Sequence, residues 1–254
     1  MLISQKKSKV ALLMGYSGWD RKDSNPLSSL KDIDNYESFL MSDQGGCWYK
    51  SEIEQIINKD IADLYKIIDD IKKEQNDVVF VAFSGHGDYD DIENYCRRLE
   101  ISDGRTILGK KLWGLSKRQI LICDSCSGLR SQYANESLLE EKSVMALESA
   151  TGSKSILSRM RYDELCKRAP EQLIRLYASK IGTSAIDDDG GIYTQTLLQI
   201  LNNSNSEIDI VTAHDITAEI VINKTKKDDE VEGAQIPQRS VPKIFNYLPG
   251  VINV

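Results

Sequence analysis

Two apolar runs, each followed by small residues and one reactive side chain, constrain the fold of this chain more than any other feature. Residues 78–83 read Val-Val-Phe-Val-Ala-Phe and lead into Ser-Gly-His-Gly, with the histidine at position 86. Residues 119–123 read Gln-Ile-Leu-Ile-Cys and lead into Asp-Ser-Cys-Ser-Gly, with the second cysteine at position 126. Continuous apolar runs of this length are typical of strands buried on both faces of a parallel sheet. Ligands of such sheets bind beyond the carboxyl ends of the strands, where His86 and Cys126 both fall.

Other segments extend this pattern and predict an α/β fold. A third apolar run at residues 9–16 predicts a buried strand, and residues 172–179 predict another. Apolar side chains at helical spacing predict helices at residues 30–40, 61–71, 193–201 and 212–222, the last with Thr212 as its N-cap. Residues 97–101 and 106–108 flank an Asp-Gly pair, which predicts a small hairpin at the edge of the sheet. Helices between strands imply the crossover connections of a parallel sheet.

The length fits one large α/β domain, so we expect residues 1–254 to form a single unit in three parts. A larger part covers about residues 1–130, and a smaller part covers about residues 171–254. Between them, residues 131–170 are rich in serine, glutamate, lysine and arginine and are predicted to be a linker.

Charge and cysteine content limit the function classes. The chain has 32 lysine and arginine residues against 39 aspartate and glutamate residues, a formal charge of −7, which argues against general nucleic-acid binding. Five irregularly spaced cysteines are typical of a reduced intracellular protein and not of a disulfide framework. The N-terminus has no secretory signal pattern and no stretch is apolar enough to span a membrane. We therefore expect a cytoplasmic protein that binds neither nucleic acid nor membrane.

The two strand ends together predict nucleophilic catalysis. A cysteine thiol is mostly protonated at neutral pH, and a neighbouring imidazole that accepts its proton makes it an effective nucleophile. We assign Cys126 as the nucleophile and His86 as its base. The backbone amides of Gly87 and Cys126 are predicted to stabilise the oxyanion of a tetrahedral intermediate.

Less specific interpretations of the same residues remain open. A single histidine or cysteine is more often a packed residue than a catalyst, and His214, Cys47, Cys96 and Cys166 are assigned that structural role. Cys123 and Cys126 also form a Cys-x-x-Cys pattern, which favours a redox site only if both cysteines are accessible. No ligand set for zinc is present. The acidic run at residues 187–189 is interpreted as a solvated loop, although an acidic loop can bind calcium.

The order of these motifs resembles the caspase and metacaspase superfamily of cysteine endopeptidases. The two strand ends match its histidine and cysteine motifs. Residues 30–40, the Gly-Gly-Ile-Tyr-Thr at 190–194 and the Gln-Ile-Pro-Gln at 235–238 match further family segments in the right order. The resemblance implies a caspase-like fold, in which a mostly parallel six-stranded sheet has helices on both faces. It gives no secure counterpart of the calcium ligands found in some metacaspases, so we expect no cofactor and no metal.

The resemblance also implies a substrate preference. In metacaspases, positions matching Asp32, Ser84 and Asp124 line a pocket for basic side chains. Two carboxylates favour the planar donors of arginine over lysine and repel aspartate. Asp32 has a simpler alternative as a carboxylate at the start of a helix, where the dipole favours negative charge.

The sequence therefore predicts a cysteine endopeptidase that cleaves protein or peptide substrates after arginine, and less readily after lysine. Self-cleavage in the linker is a second expectation, since that segment contains basic residues at 154, 159, 161, 167 and 168. A regulatory partner or an oligomer is compatible with the family, as is a role in defence or cell death. The alternatives are a catalytically silent scaffold with this fold and a Cys-x-x-Cys thiol oxidoreductase.

Overall fold

The structure is a computed structural model that describes residues 8–16, 28–90, 96–102, 104–126, 153–187, 190–226 and 233–252. Its strands are β1 (Lys9–Gly15), β2 (Ile53–Ile57), β3 (Val78–Ser84), β4 (Gly87–Asp90), β5 (Cys96–Ser102), β6 (Arg105–Leu108), β7 (Arg118–Asp124), β8 (Gln172–Tyr177), β9 (Ile208–Asp209), β10 (Gln238–Ser240) and β11 (Pro249–Val251). Its α-helices are α1 (Ser28–Met41), α2 (Ile61–Glu74), α3 (Ser153–Arg168), α4 (Ile192–Asn203) and α5 (Ile210–Thr225).

Six strands form one sheet in the order β10-β8-β7-β3-β1-β2. Every neighbouring pair is parallel except β10 with β8, which is antiparallel at one edge. The two strands that lead to His86 and Cys126, β3 and β7, are central neighbours, and nearly all their residues are buried. The predicted mostly parallel six-stranded sheet is confirmed.

Both faces of this sheet are covered, which explains why its strands are continuously apolar. On one face, alternate residues of β1 and β3 such as Leu13 and Phe80 pack with apolar side chains of α1, α4 and α5. On the other face, the intervening residues such as Leu12 and Val81 pack with α2 and with the hairpin of β5 and β6. The prediction of helices on both faces is therefore confirmed.

Several elements differ from the sequence-based prediction, and β4, β9, β10 and β11 were not predicted. Strand β2 was not predicted, because its Ile-Glu-Gln-Ile-Ile sequence gives only two buried residues, Ile53 and Ile56. The hairpin does not extend the edge of the main sheet but joins β4 in a separate three-stranded sheet. Residues 153–168 of the predicted linker form helix α3, and residues 127–152 lie outside the described residues.

Helix α5 begins two residues earlier than predicted, and its cap is Asp209 instead of Thr212. The Asp209 side chain accepts hydrogen bonds from the amides of Val211 and Thr212. This start places His214 inside the helix and in the core, where it is 2% exposed and its Nδ1 lies 2.7 Å from the Tyr193 hydroxyl. Burial lowers the pKa of His214 to about 4. A neutral, packed histidine is what the sequence predicted here.

Candidate active site

The register of β3 and β7 brings the two predicted catalytic segments side by side. Ser84 pairs with Asp124 across these parallel strands, so His86 and Cys126 each follow the paired residues by two positions. The amide of Gly85 donates a hydrogen bond to the Asp124 carbonyl at 3.2 Å. A Cβ atom on Gly87 would lie 2.9 Å from the Ser125 side chain, so the histidine segment contacts the cysteine segment closely. Only glycine fits at position 87 without displacing its neighbours.

The Cys126 thiol contacts a backbone carbonyl from a distant part of the chain. Its Sγ donates a hydrogen bond to the Ala185 carbonyl at 3.5 Å, and the residue is partly buried. Burial raises the pKa of Cys126 above its ordinary value. The thiol is therefore protonated at neutral pH, and nucleophilic attack requires a base to remove its proton.

A backbone hydrogen bond from β5 holds the segment that carries His86. The amide of Glu100 in β5 donates to the His86 carbonyl at 3.0 Å, and the side chain of His86 is partly exposed. The separate sheet of β4, β5 and β6 therefore supports the loop that carries His86. The predicted oxyanion donors, the amides of Gly87 and Cys126, lie at these same two strand ends.

The three residues predicted to form a basic-side-chain pocket lie next to the strand ends. Ser84 donates a hydrogen bond from Oγ to Asp32 Oδ2 at 2.6 Å. The amide and hydroxyl of Thr194 donate to Asp124 Oδ2 at 3.0 and 2.8 Å. Asp32 is 0% exposed and Asp124 is 4% exposed, so neither acid is a solvated surface group. Asp32 is the fifth residue of α1, past the first turn, so the dipole at the helix start explains its position less well than its contact with Ser84 does.

A single glycine separates the two carboxyl groups. The amide of Gly191 donates to Asp32 Oδ2 at 3.0 Å. A Cβ atom on Gly191 would lie 2.1 Å from Asp124 Oδ2 and 3.1 Å from Asp32 Oδ2. Any side chain at position 191 would therefore collide with Asp32 and Asp124, which together form the acid pair.

Burial and mutual repulsion disfavour the ionised forms of the two carboxyl groups. Burial and the charge of Asp124 raise the pKa of Asp32 well above its ordinary value. Burial also raises the pKa of Asp124 to about 6, against hydrogen bonds from Thr194. Within the described residues, Asp32 Oδ1 is buried without a hydrogen-bond partner. Two buried carboxyl groups with one unpaired oxygen form a strong potential acceptor for a cationic donor.

A third acid at this site, Asp187, was not predicted as a site residue. Asp187 accepts hydrogen bonds from the Ser28 hydroxyl and, at 3.1 Å, from the amide of Gly190. Its negative charge contributes to the raised pKa of both Asp32 and Asp124. No local pattern could have identified it, because its contact with Ser28 joins residues 159 positions apart.

The other cysteines do not form a second reactive centre. All five cysteines are unpaired, and Cys123 is 1% exposed. Burial raises the pKa of the Cys123 thiol to about 12. A cysteine with these properties is inert, which argues against a redox pair with Cys126. Cys96 and Cys166 are likewise buried, and Cys47 follows the end of α1 and donates a hydrogen bond from Sγ to Asp43 Oδ1 at 3.2 Å.

No group of three metal-ligating side chains is arranged to hold an ion in the part of the chain that the structure describes. Asp188 and Asp189 of the acidic run lie outside that part.

No described helix combines the length and the apolar character that are needed to cross a membrane.

The family is decided by comparison with known sequences. The caspase domain family matches residues 8–248, nearly the whole chain. The chain belongs to the caspase domain family. This is a family of cysteine peptidases that act on proteins. No curated protein matches the sequence significantly.

The fold agrees with the family. The crystal structure of caspase-1 from Spodoptera frugiperda superimposes with a TM-score of 0.60 at 14% sequence identity. The match covers 92% of this chain and 86% of the caspase-1 chain. At this identity the likeness shows the shared caspase fold, and the chemistry must be argued from the residues of this chain.

Proposed function

We propose that this protein is a cysteine endopeptidase in which Cys126 is the nucleophile and His86 is its base. The single observation that carries this proposal is the register of β3 and β7. It places a histidine segment and a cysteine segment in contact at the carboxyl end of a parallel sheet, beside two buried acids. Membership of a cysteine-peptidase family supports the same chemistry.

In the proposed reaction, His86 takes the proton of the Cys126 thiol as the sulfur attacks the carbonyl carbon of the scissile peptide bond. The oxyanion that forms is stabilised by the amides of Gly87 and Cys126. His86 then gives the proton to the leaving amine as the carbon–nitrogen bond breaks, which leaves a thioester on Cys126. Water, deprotonated by His86, hydrolyses the thioester and restores the thiol.

The acids beside the strand ends determine the proposed specificity. A guanidinium presents a planar set of donors that can bridge Asp32 Oδ1 and the Asp124 carboxyl group. An arginine side chain would also neutralise the repulsion between these acids, whereas aspartate would add to it. We therefore propose cleavage after arginine, and less readily after lysine.

Self-cleavage in the predicted linker also belongs to this proposal. Helix α3 reduces the number of candidate cleavage sites there. Arg159 and Arg161 are helical and hydrogen-bonded to Glu52 and Glu207, so they are poor protease targets in the folded protein. Within the predicted linker, the sequence places Lys142 before α3, and this residue becomes the favoured site.

Fluorogenic peptides ending in arginine, lysine or aspartate test the proposal. The arginine substrate should be cleaved fastest, and Cys126→Ala and His86→Ala should each abolish cleavage. Cys47→Ala is the matched control and should leave the rate unchanged, because Cys47 is a partly exposed thiol away from the strand ends. Full activity of Cys126→Ala would instead support the scaffold alternative with a contaminating protease.

A further inference from the structure

Residues 185–187 form a short segment that contacts both halves of the candidate site. The Ala185 carbonyl accepts the hydrogen bond of the Cys126 thiol. Asp187 accepts hydrogen bonds from Ser28 and from the amide of Gly190, and the amide of the next residue, Gly191, donates to Asp32. The placement of this segment therefore affects the surroundings of the nucleophile and of the acid pair together.

The middle of this segment is fixed by one side chain from a distant part of the chain. Gln235 is 1% exposed, and its Oε1 accepts a hydrogen bond from the Ile186 amide at 2.8 Å. Its Nε2 donates to the Ala178 carbonyl at 3.0 Å. Ala178 directly follows β8, and its own amide donates to the Cys123 carbonyl in β7 at 2.9 Å. The side-chain amide of Gln235 thus connects the segment to Ala178. Ala178 in turn is hydrogen-bonded to Cys123, three residues before the nucleophile.

We propose that Gln235 is a positioning residue that holds the Ala185 carbonyl and Asp187 in place beside Cys126 and the acid pair. This inference rests on the proposed peptidase function. Both partners of Gln235 are backbone groups, one an N–H and the other a carbonyl, so the position requires a side chain that donates and accepts. The backbone amide of Gln235 donates a hydrogen bond to the Thr225 hydroxyl at 2.9 Å, which anchors the residue to the end of α5.

A matched variant at Gln172 distinguishes a positioning role of Gln235 from a general effect on stability. Gln172 is also buried and also bridges backbone groups, with Nε2 donating to Asn246 at 3.2 Å and Oε1 accepting from Leu248 at 3.2 Å. Gln172 begins β8, at the end of the sheet opposite the candidate site. Replacing either glutamine by leucine leaves buried backbone groups unpaired, which costs about 1–3 kcal/mol per group.

The first measurement is the rate at which iodoacetamide alkylates Cys126, with Cys47 in the same molecule as the reference. In Gln235→Leu the segment loses its anchor, so we expect Cys126 to react about threefold faster or more, because its sulfur is less covered. Gln172→Leu should lose thermal stability to a similar degree and keep the parental alkylation rate. An unchanged rate in folded Gln235→Leu, or an equal increase in Gln172→Leu, would overturn the proposal.

Gln235→Glu tests which contact matters and serves if the leucine variant does not fold. It keeps an acceptor for the Ile186 amide, so its alkylation rate should lie closer to the parent than that of Gln235→Leu. The reverse order would contradict the proposal.

Peptide hydrolysis gives the second readout. The kcat for an arginine peptide should fall about tenfold or more in Gln235→Leu and stay within about twofold in Gln172→Leu, since misplacement by about 1 Å has effects of this size. An equal fall in both variants would mean that Gln235 acts through stability alone. If the parent hydrolyses no peptide, the proposed function fails, and the alkylation comparison still decides the role of Gln235.

Discussion

At the scale of single residues, the buried acid pair lowers stability at neutral pH, and the proposed arginine specificity would account for it. Asp32 and Asp124 are buried close to Gly191, and two hydroxyls and two backbone amides only partly satisfy their hydrogen-bonding capacity. The raised pKa of Asp124 means that folding favours its neutral form. That contribution to stability is complete below the unfolded pKa of 3.8 and is lost as pH rises through about 6.

Asp124→Asn should therefore make the protein more stable at neutral pH while it loses activity. We expect a gain of about 1–3 kcal/mol in the free energy of unfolding at pH 7.5, shrinking to nothing below about pH 4. Cleavage after arginine should fall by about 100-fold or more, because a buried charge partner is lost. Asp34→Asn, an exposed acid on α1, is the control and should change neither quantity. A destabilised Asp124→Asn would contradict the claim that burying Asp124 beside Asp32 lowers stability at neutral pH.

The same acids predict how substrate affinity depends on pH. Under the proposed specificity, an arginine side chain would bind the ionised pair, so affinity should rise as pH increases through about 6, where Asp124 ionises. Calorimetric titration of an arginine peptide into Cys126→Ala measures binding without catalysis. Affinity that stays constant between pH 5 and pH 8 would argue against a carboxylate pocket.

At the scale of elements, helix α3 shows why part of the fold was missed. Its buried residues follow a narrow stripe through Ser158, Tyr162 and Cys166, whereas apolar Ile156, Leu157 and Met160 are exposed, so apolar side chains do not mark its buried face. The helix is held by charged contacts that no sequence pattern reveals. Arg159 forms a two-pronged ion pair with Glu52 at 2.5 and 2.8 Å, and buried Lys9 bonds Asp163 at 2.8 Å.

Arg159 and Arg161 lie on this helix in opposite environments and make a matched pair. Arg159→Ala leaves Glu52, which is 5% exposed, without its charge partner, so we expect a loss of about 3 kcal/mol in unfolding free energy. Arg161→Ala breaks an exposed pair with Glu207 and should cost less than about 1 kcal/mol. Denaturant unfolding measures both values, and equal losses would contradict the assigned role of Arg159.

Strands were more predictable than helix α3 because burial on both faces leaves a direct mark on sequence. Every residue of β1 and β3 is buried, and both were placed correctly from their apolar runs. The strand ends could then be predicted to lie together, since parallel neighbours share one edge. Contacts made by Gly191, Asp187 and Gln235 could not be predicted, because each joins segments far apart in sequence through one or two polar atoms.

At the scale of the whole molecule, described segments of the larger and smaller parts share one sheet. Strand β8 of the smaller part lies between β7 and β10, and it pairs with β7 over six residues. One apolar cluster includes residues of both parts, such as Ile33 with Leu197. The acid pair itself receives hydrogen bonds from Gly191 and Thr194 of the smaller part.

Cutting the chain between these parts should therefore not separate them. A recognition site for an unrelated protease, inserted between residues 140 and 141, allows a single cut outside the described elements. We expect the two fragments to elute together at the parental volume in size-exclusion chromatography and to separate only in denaturant. Separation under native conditions would mean that the sheet and the shared core do not hold the two parts together.

Profiling cleavage sites in a diverse peptide library tests the central claim most directly, because it reports activity and pocket charge in one measurement. The account predicts cuts almost entirely after arginine, fewer after lysine, and none with the Cys126→Ala variant. Cleavage after aspartate, or cleavage that persists without Cys126, would contradict it.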